Sequence, residues 1–158
     1  MSDLGLDDAR KKREELRSEG RTVVFTNGCF DLIHPGHVHI LEQAAAQGDY
    51  LIVGVNTDDS VRRLKGGFRP VQGESARVTV LNALESVDDT ILFDEDTPKR
   101  LIQELSPDVL VKGADYEVSE IVGADHVQST GGRVHRVELL SGHGTSEIIE
   151  TILGAEPE

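Results

Sequence analysis

The chain has 158 residues, which is long enough for one domain with a substantial buried core. Its 29 acidic residues outnumber its 16 basic ones, and the formal net charge of −13 argues against binding to nucleic acid or to an anionic membrane surface. The single cysteine, Cys29, excludes an internal disulfide and a cysteine-based zinc cluster. The N-terminus is charged throughout and no apolar run is long, so we expect a cytoplasmic protein without a signal peptide or membrane span.

Helical and strand-like segments alternate along the chain. Residues 7–19 form a charged predicted helix that ends at Gly20, and 22–26 form a β-branched strand. Apolar residues recur at helical spacing over 35–47, whereas 50–56 is almost continuously apolar, as in a strand covered on both faces. Seven further elements, a helix first and then strands and helices in turn, are predicted at 74–84, 90–93, 98–105, 108–112, 122–129, 134–137 and 145–153. This alternation predicts an α/β fold with a Rossmann-like, doubly wound parallel sheet and helices on both faces.

The organisation of the chain indicates one domain over 1–158. It consists of a charged helical extension over 1–20 and a core over 21–153, without an internal repeat or a linker. In a doubly wound sheet, ligands bind outside the carboxyl ends of the strands, where the strand order reverses. Segments that directly follow predicted strands are therefore the first candidates for a functional site.

The segment TNGCFDLIHPGH, residues 26–37, follows the first predicted strand. Pro35 suits the first turn of a helix, because its missing N–H is one that the helix would leave unpaired. His34 then lies at the N-cap and His37 one turn inside the helix. Both imidazoles would lie beside exposed amides at the positive end of the helix dipole, which is a natural site for an anion. Two neutral donors there can stabilise charge that develops on a phosphoryl oxygen.

Residues 26–37 resemble the signature of the nucleotidyltransferase superfamily with the H-x-G-H motif, which includes cytidylyltransferases and adenylyltransferases. The similarity extends over about residues 21–153. Within the superfamily, the chain most resembles the adenylyltransferases that activate D-glycero-β-D-manno-heptose 1-phosphate, on the segments 53–71, 93–102, 107–116 and 121–127. A kinase domain is often fused to this module in that family, and the length of this chain leads us to expect a free-standing transferase.

The resemblance implies catalytic roles for His34, His37 and Lys65, which would stabilise the transition state. Lys65 precedes two glycines on what we expect to be a mobile, exposed loop that closes over phosphates. Arg69 follows on the same loop, and Arg77 belongs to an E-x-x-R element of the family. Both arginines are expected to bind the phosphate of the substrate, although an ion pair within a dimer is the alternative for Arg77.

The resemblance also implies three groups of nucleotide-binding residues. The turn after the first strand contributes Thr26, Asn27, Gly28, Cys29, Phe30 and Asp31. The K-G-x-D element after a later strand contributes Lys112, Gly113, Asp115 and Tyr116, and the start of the last helix contributes Thr145 and Ser146, for which helix capping is an equal explanation. His143 could approach the triphosphate, but we interpret it as a loop histidine without a role. Asp31 could contact a magnesium ion through water.

The implied reaction is an in-line attack of a sugar 1-phosphate on the α-phosphate of ATP, which expels pyrophosphate without a covalent intermediate. Mg²⁺ is the expected cofactor, held mainly by the nucleotide phosphates, so we expect no dedicated metal-binding residues. The nucleophile is already ionised and needs no general base, and Cys29 is not needed as a nucleophile. ATP and a phosphorylated small molecule are the expected partners, and relatives suggest a homo-oligomer, a dimer or larger.

Three alternatives stay open at this point. The acceptor could be glycerol 3-phosphate or phosphoethanolamine with CTP, or flavin mononucleotide with ATP. A metallohydrolase would use the histidines as ligands, but His34 and His37 have no obvious third ligand. A non-catalytic nucleotide sensor would bind ATP without releasing pyrophosphate. A shared fold alone does not separate these functions.

Overall fold

The computed structural model describes residues 4–154 and contains one sheet of five parallel strands. The strands are β1 Val23–Gly28, β2 Tyr50–Asn56, β3 Asp89–Phe93, β4 Val109–Gly113 and β5 Arg133–Val137. Their spatial order is β3-β2-β1-β4-β5, so the predicted doubly wound α/β fold is confirmed. The order reverses between β1 and β4, which places the expected ligand site at the carboxyl ends of these two strands.

Seven α-helices cover the sheet within the described part of the chain, and a short 3₁₀ turn lies at Val118–Glu120. The helices are α1 Leu6–Ser18, α2 Pro35–Ala45, α3 Asp58–Lys65, α4 Glu74–Asn82, α5 Lys99–Leu105, α6 Ala124–Ser129 and α7 Thr145–Gly154. Six of them were predicted, and their ends differ from the predicted ones by only one or two residues. No helix of residues 4–154 is long and apolar enough to cross a membrane.

Two separate apolar cores explain why the strands are so continuously apolar. Phe25 and Leu110 point to one face of the sheet, where α1, α5 and α6 pack. Val24, Val53 and Val111 belong to the core on the opposite face, beneath α2 and α4. Because successive side chains of a strand point to opposite faces, a strand covered on both sides is apolar at most of its positions.

Helix α3 is a difference from the sequence prediction, which treated its basic end as loop. The Thr57 side chain caps the helix by accepting a hydrogen bond from the backbone N–H of Ser60 at 3.2 Å. Asp58 and Asp59 occupy the first turn and basic residues the last, a distribution that complements the helix dipole. Lys65 is therefore the last residue of a helix, and the loop begins only after it.

Candidate active site

A cavity of about 730 Å³ opens at the carboxyl ends of β1 and β4. Its walls come from the turn after β1, the starts of α2 and α7, the end of α3, and the segment after β4. Every residue predicted to be catalytic or nucleotide-binding lines it, namely Thr26, Asn27, Gly28, Cys29, Phe30, Asp31, His34, His37, Lys65, Lys112, Gly113, Asp115, Tyr116, Thr145 and Ser146. The two arginines predicted to bind substrate phosphate, Arg69 and Arg77, do not line the cavity.

His34 and His37 together cap the start of α2. The Nδ1 atom of His34 accepts a hydrogen bond from the backbone N–H of Gly36 at 3.0 Å, and Nδ1 of His37 accepts one from the N–H of His34 at 3.3 Å. The two rings stack with their centroids 3.7 Å apart, and the ring of Phe30 lies 5.5 Å from that of His37. Because each Nδ1 accepts, the hydrogen-bond pattern assigns the proton of each neutral ring to Nε2.

The surroundings of the two histidines favour their neutral forms. Burial, followed by the charge of the neighbouring His34, lowers the pKa of His37 to about 4. Burial and the nearby His143 also lower the pKa of His34. The site therefore presents two neutral N–H donors beside the amides of the α2 N-terminus at pH 7. Such donors suit negative charge that develops during a reaction.

Gly36 makes this arrangement possible. A Cβ atom at this position would lie 2.8 Å from Cε1 and 3.0 Å from Nδ1 of His34. Contacts of this length are too short, so any other residue would push the His34 ring away from the first turn of α2. The glycine of the H-x-G-H motif is thus required by the capping histidine, a role that the sequence interpretation did not give it.

Asp31 is buried beneath the cavity rather than free to bind a ligand. Its fully buried carboxylate accepts hydrogen bonds from the backbone N–H groups of Val71 at 2.6 Å and Gln72 at 3.0 Å, and from Nε of Arg69 at 3.3 Å. Its carbonyl oxygen accepts from Oγ1 of Thr145 at 2.8 Å. The expectation that Asp31 contacts magnesium through water is corrected, because the carboxylate already binds three protein donors.

The side chain of Arg69 is not exposed, contrary to the sequence expectation. Its side chain is only 13% exposed and forms an ion pair with Asp31. The expected contact with substrate phosphate is therefore not supported, because the guanidinium points towards a buried carboxylate.

Arg77 is fully buried and joins four segments of the chain. Its Nη1 donates to the carbonyl oxygens of Cys29 at 2.7 Å and Asn56 at 2.8 Å, and its Nε to that of Gln72 at 3.0 Å. Its Nη2 donates to Oδ1 of Asp58 at 2.8 Å. A planar guanidinium with several fixed donors suits such converging oxygens. Neither expected role, substrate binding or a dimer ion pair, fits a side chain enclosed in this way.

The end of β4 supplies a second cation and a close backbone approach. Burial lowers the pKa of Lys112 to about 8, and its Nζ donates to the carbonyl oxygen of Asn27 at 3.3 Å. A Cβ at Gly113 would lie 2.6 Å from Oδ1 of Asp115, so a larger residue would displace the Asp115 side chain. The side-chain Oδ1 of Asn27 is buried without a hydrogen-bond partner among the described residues. A buried acceptor of this kind is available to a ligand donor.

The start of α7 forms another wall of the cavity, beside the N-terminus of α2. The hydroxyl of Thr145 donates to the carbonyl of Asp31, so its proton does not point to a phosphate as expected. Ser146 lies beside it, exposed on the cavity. His143 also lines the cavity, although the sequence interpretation gave it no role. The signal that could have found it is its position two residues before the predicted start of the last helix.

The described residues give no support to a dedicated metal site. No group of three or more His, Cys, Asp or Glu side chains converges to hold a metal ion within residues 4–154. In the pair His34 and His37, both Nδ1 atoms already accept backbone N–H groups. The metallohydrolase alternative therefore lacks the ligand set that it requires.

The solved structures that this chain resembles share its fold. A lipopolysaccharide core biosynthesis protein from Thermoplasma volcanium is 30% identical with a TM-score of 0.62, and the match covers 77% of this chain and 98% of that protein. Pantothenate synthetase from Thermus thermophilus has a TM-score of 0.61 at 14% identity, covering 89% of this chain and 62% of that one. At that identity the second likeness concerns the fold alone.

Curated relatives match the chain in sequence over most of its length. The bifunctional protein HldE of Gluconobacter oxydans is 53% identical over 150 residues, which are 95% of this chain and 31% of the relative. The protein of the same name from Azorhizobium caulinodans is 58% identical over 133 residues, 84% of this chain and 28% of the relative. The chain thus spans about three tenths of the length of these curated relatives. The cytidylyltransferase-like family profile matches residues 25–142, so the chain belongs to that family and is a nucleotidyltransferase.

Proposed function

We propose that this protein transfers AMP from ATP to a sugar 1-phosphate, D-glycero-β-D-manno-heptose 1-phosphate, and releases pyrophosphate. The observation that carries the chemistry is the pair of neutral histidines, His34 and His37, whose Nδ1 atoms are tied to the backbone at the start of α2. The choice of an adenylyl group and a heptose acceptor is supported by the similarity to HldE and to a lipopolysaccharide core biosynthesis protein.

The charges around the cavity support an anionic substrate. The chain as a whole carries a formal net charge of −13, yet Lys65 and Lys112 both line this cavity. They add to the positive end of the α2 dipole beside His34 and His37. A triphosphate lying between these groups would have its α-phosphate next to the Nε2–H donors.

The reaction needs positioning more than acid–base chemistry. The sugar-phosphate oxygen attacks the α-phosphorus, and a new P–O bond forms while the bond to the bridging oxygen of pyrophosphate breaks. Pyrophosphate leaves with that electron pair, and no proton has to move because the attacking phosphate is already ionised. His34, His37 and Lys65 donate hydrogen bonds to the oxygens on which charge accumulates.

Mg²⁺ is the proposed cofactor, bound through the phosphates of the nucleotide. When bound, it would neutralise part of the charge of the phosphate groups. The cavity fits an ion carried in this way, because the Asp31 carboxylate is already occupied and no carboxylate cluster lies among the described residues.

The proposal is tested by measuring Mg²⁺-dependent pyrophosphate release from a grid of nucleotides and acceptors. ATP, CTP and GTP are each paired with heptose 1-phosphate, glycerol 3-phosphate, phosphoethanolamine and flavin mononucleotide. We expect release only with ATP and heptose 1-phosphate. Release with another pair would overturn the substrate and keep the reaction type. No release from a protein that still binds ATP would overturn the proposed substrates, in favour of an acceptor outside the grid or of a nucleotide sensor.

A further inference from the structure

The carboxylate of Asp31 forms hydrogen bonds with residues from a distant part of the chain, and a nucleotide-binding role does not account for them. Its carboxylate binds Arg69, Val71 and Gln72, which lie about forty residues later in the chain. All three belong to the α3–α4 loop (residues 66–73), which begins directly after Lys65. We propose that Asp31 is a positioning residue that holds this loop, and through it Lys65, in the geometry that the proposed function requires.

The α3–α4 loop consists of a base that is bound by side chains and an exposed tip. The base, residues 69–72, is bound by the Asp31 carboxylate and by Nε of Arg77, which takes the carbonyl of Gln72. At the tip, Phe68 is 96% exposed, and a Cβ at Gly66 or Gly67 would meet no atom within 4 Å. The contacts with Asp31 and Arg77 therefore fall on residues 69–72. The tip forms backbone hydrogen bonds, from the N–H of Gly66 to the carbonyl of Arg62 at 2.9 Å and from the N–H of Arg69 to that of Gly66 at 3.1 Å.

Helix α3 is held at both of its ends. At its start, Asp58 accepts from Nη2 of Arg77, and its backbone N–H donates to Oε2 of Glu74 at 2.8 Å. At its end, the three tip residues connect Lys65 to the base that Asp31 binds. Loss of the Asp31 contacts would free the second attachment, so Lys65 would sample positions away from the cavity.

Asp31 also contacts the start of α7. The carbonyl of Asp31 accepts from Thr145 at the start of α7, so one residue links the turn after β1, the base of the loop and the last helix. In its ion pair with Arg69, the Asp31 side chain is 0% exposed and the Arg69 side chain 13% exposed. A carboxylate with these partners cannot turn towards a ligand without breaking its hydrogen bonds to the part-buried amides of Val71 and Gln72, which is costly.

The first experiment reads the loop without any substrate. Asp31→Asn leaves one acceptor oxygen where two now serve the N–H groups of Val71 and Gln72. We expect hydrogen exchange in a peptide covering 69–73 to become about tenfold faster or more, while β2 stays protected. Unchanged exchange at 69–73 would overturn the proposal. The matched control is Asp59→Asn, an exposed carboxylate on α3 whose loss should leave this exchange unchanged.

The second experiment asks whether Asp31 acts through Lys65. Asp31→Asn should lower kcat about tenfold and change KM for ATP little, because Lys65 is assigned to the transition state. In a Lys65→Ala background the same substitution should cost no more than about twofold, because the residue that it positions is gone. Losses that multiply fully would overturn the proposal and favour a direct contact of Asp31 with substrate.

Two outcomes need separate treatment. If Asp31→Asn does not fold, Arg69→Ala removes only the ion pair, and it should speed exchange at 69–73 by a smaller factor and show the same dependence on Lys65. Wild-type protein without pyrophosphate release would contradict the proposed function alone, since the exchange experiment still tests the anchoring of the loop.

Discussion

The two walls of the cavity are built differently. In the histidine wall, residues 26–37, the side chains of Thr26, Asp31, His34 and His37 form hydrogen bonds with backbone groups, and Asp31 is fully buried. The α7 wall, residues 139–154, contains no fully buried residue in its helix and exposes Ile152 and Leu153. The wall with the more firmly held side chains is thus the one where transition-state charge is proposed to develop. The α7 wall is less buried, so we expect it to adjust more easily to a substrate.

The sharpest test of the histidine wall is His37→Ala. We expect turnover to fall on the order of a hundredfold or more, because a preorganised donor to the transition state is lost. The measurement is kcat for pyrophosphate release, with circular dichroism to show that the variant folds. His135→Ala, on β5 and outside the cavity lining, is the matched control and should keep its turnover. Near-wild-type turnover of His37→Ala would contradict its assignment.

A single methyl group should distinguish the two walls. Gly36→Ala forces the His34 ring to move, so we expect turnover to fall roughly tenfold and the unfolding free energy to fall about 1 kcal/mol with the lost cap. Gly144→Ala makes the same change on the α7 wall, where the nearest atom would lie 3.9 Å away. It should change turnover less than about twofold. Equal losses in both variants would remove the contrast between the walls.

The pH dependence of stability should report the buried histidine. The pKa of His37 is about 4 in the folded protein, below its ordinary value of 6.5, so the unfolded chain takes up the proton first as the pH falls. The unfolding free energy should therefore decrease from pH 6.5 towards 4, by on the order of 1–2 kcal/mol at pH 5 from this group. Denaturant titrations of wild type and His37→Gln measure it, and the variant should lose less over the same range. Identical losses would contradict the buried neutral form.

On the α7 wall we expect graded effects. Ser146→Ala removes an exposed hydroxyl that lines the cavity, and KM for ATP should rise about threefold with little change in kcat. Initial-rate kinetics at varied ATP measure both constants. A fall in kcat as large as that of His37→Ala would show that the α7 wall also acts on the transition state.

The smallest effect is expected at Cys29, although it belongs to the histidine wall. Burial raises the pKa of its thiol, so the side chain is a neutral group at pH 7, and the reaction needs no thiolate. Cys29→Ala should retain at least about half of the turnover, since its carbonyl, which Arg77 binds, is unchanged. Near-complete loss in a folded variant would contradict this role.

Local sequence signals predicted much of the fold and part of the site. The periodicity of the apolar residues gave the strands and six helices, and Pro35 correctly placed His34 at the N-cap. These features depend on neighbours within a few residues, so a sequence contains them directly. The homo-oligomer and its interface stay predictions.

The remaining part of the site depends on contacts between distant residues. Asp31 and Arg77 both looked like ligand-binding residues, yet their partners lie about forty residues away or more in several cases. No local pattern distinguishes a charged side chain that binds a ligand from one that is buried against a loop. Helix α3 was missed for a different reason, because its basic end and the glycines after it were taken as one loop.

The contact of Arg77 with a residue far from it in the chain affects how the protein folds. Phe30 and Leu32 have positive φ angles of 52° and 53°, conformations that cost non-glycine residues about 1 kcal/mol or more each. The turn that contains them is held by Arg77, which lies 48 residues beyond Cys29. During synthesis, His34 and His37 are therefore present in the chain before Arg77, which holds the turn beside them. Enzymatic competence should therefore appear only once α4 has docked.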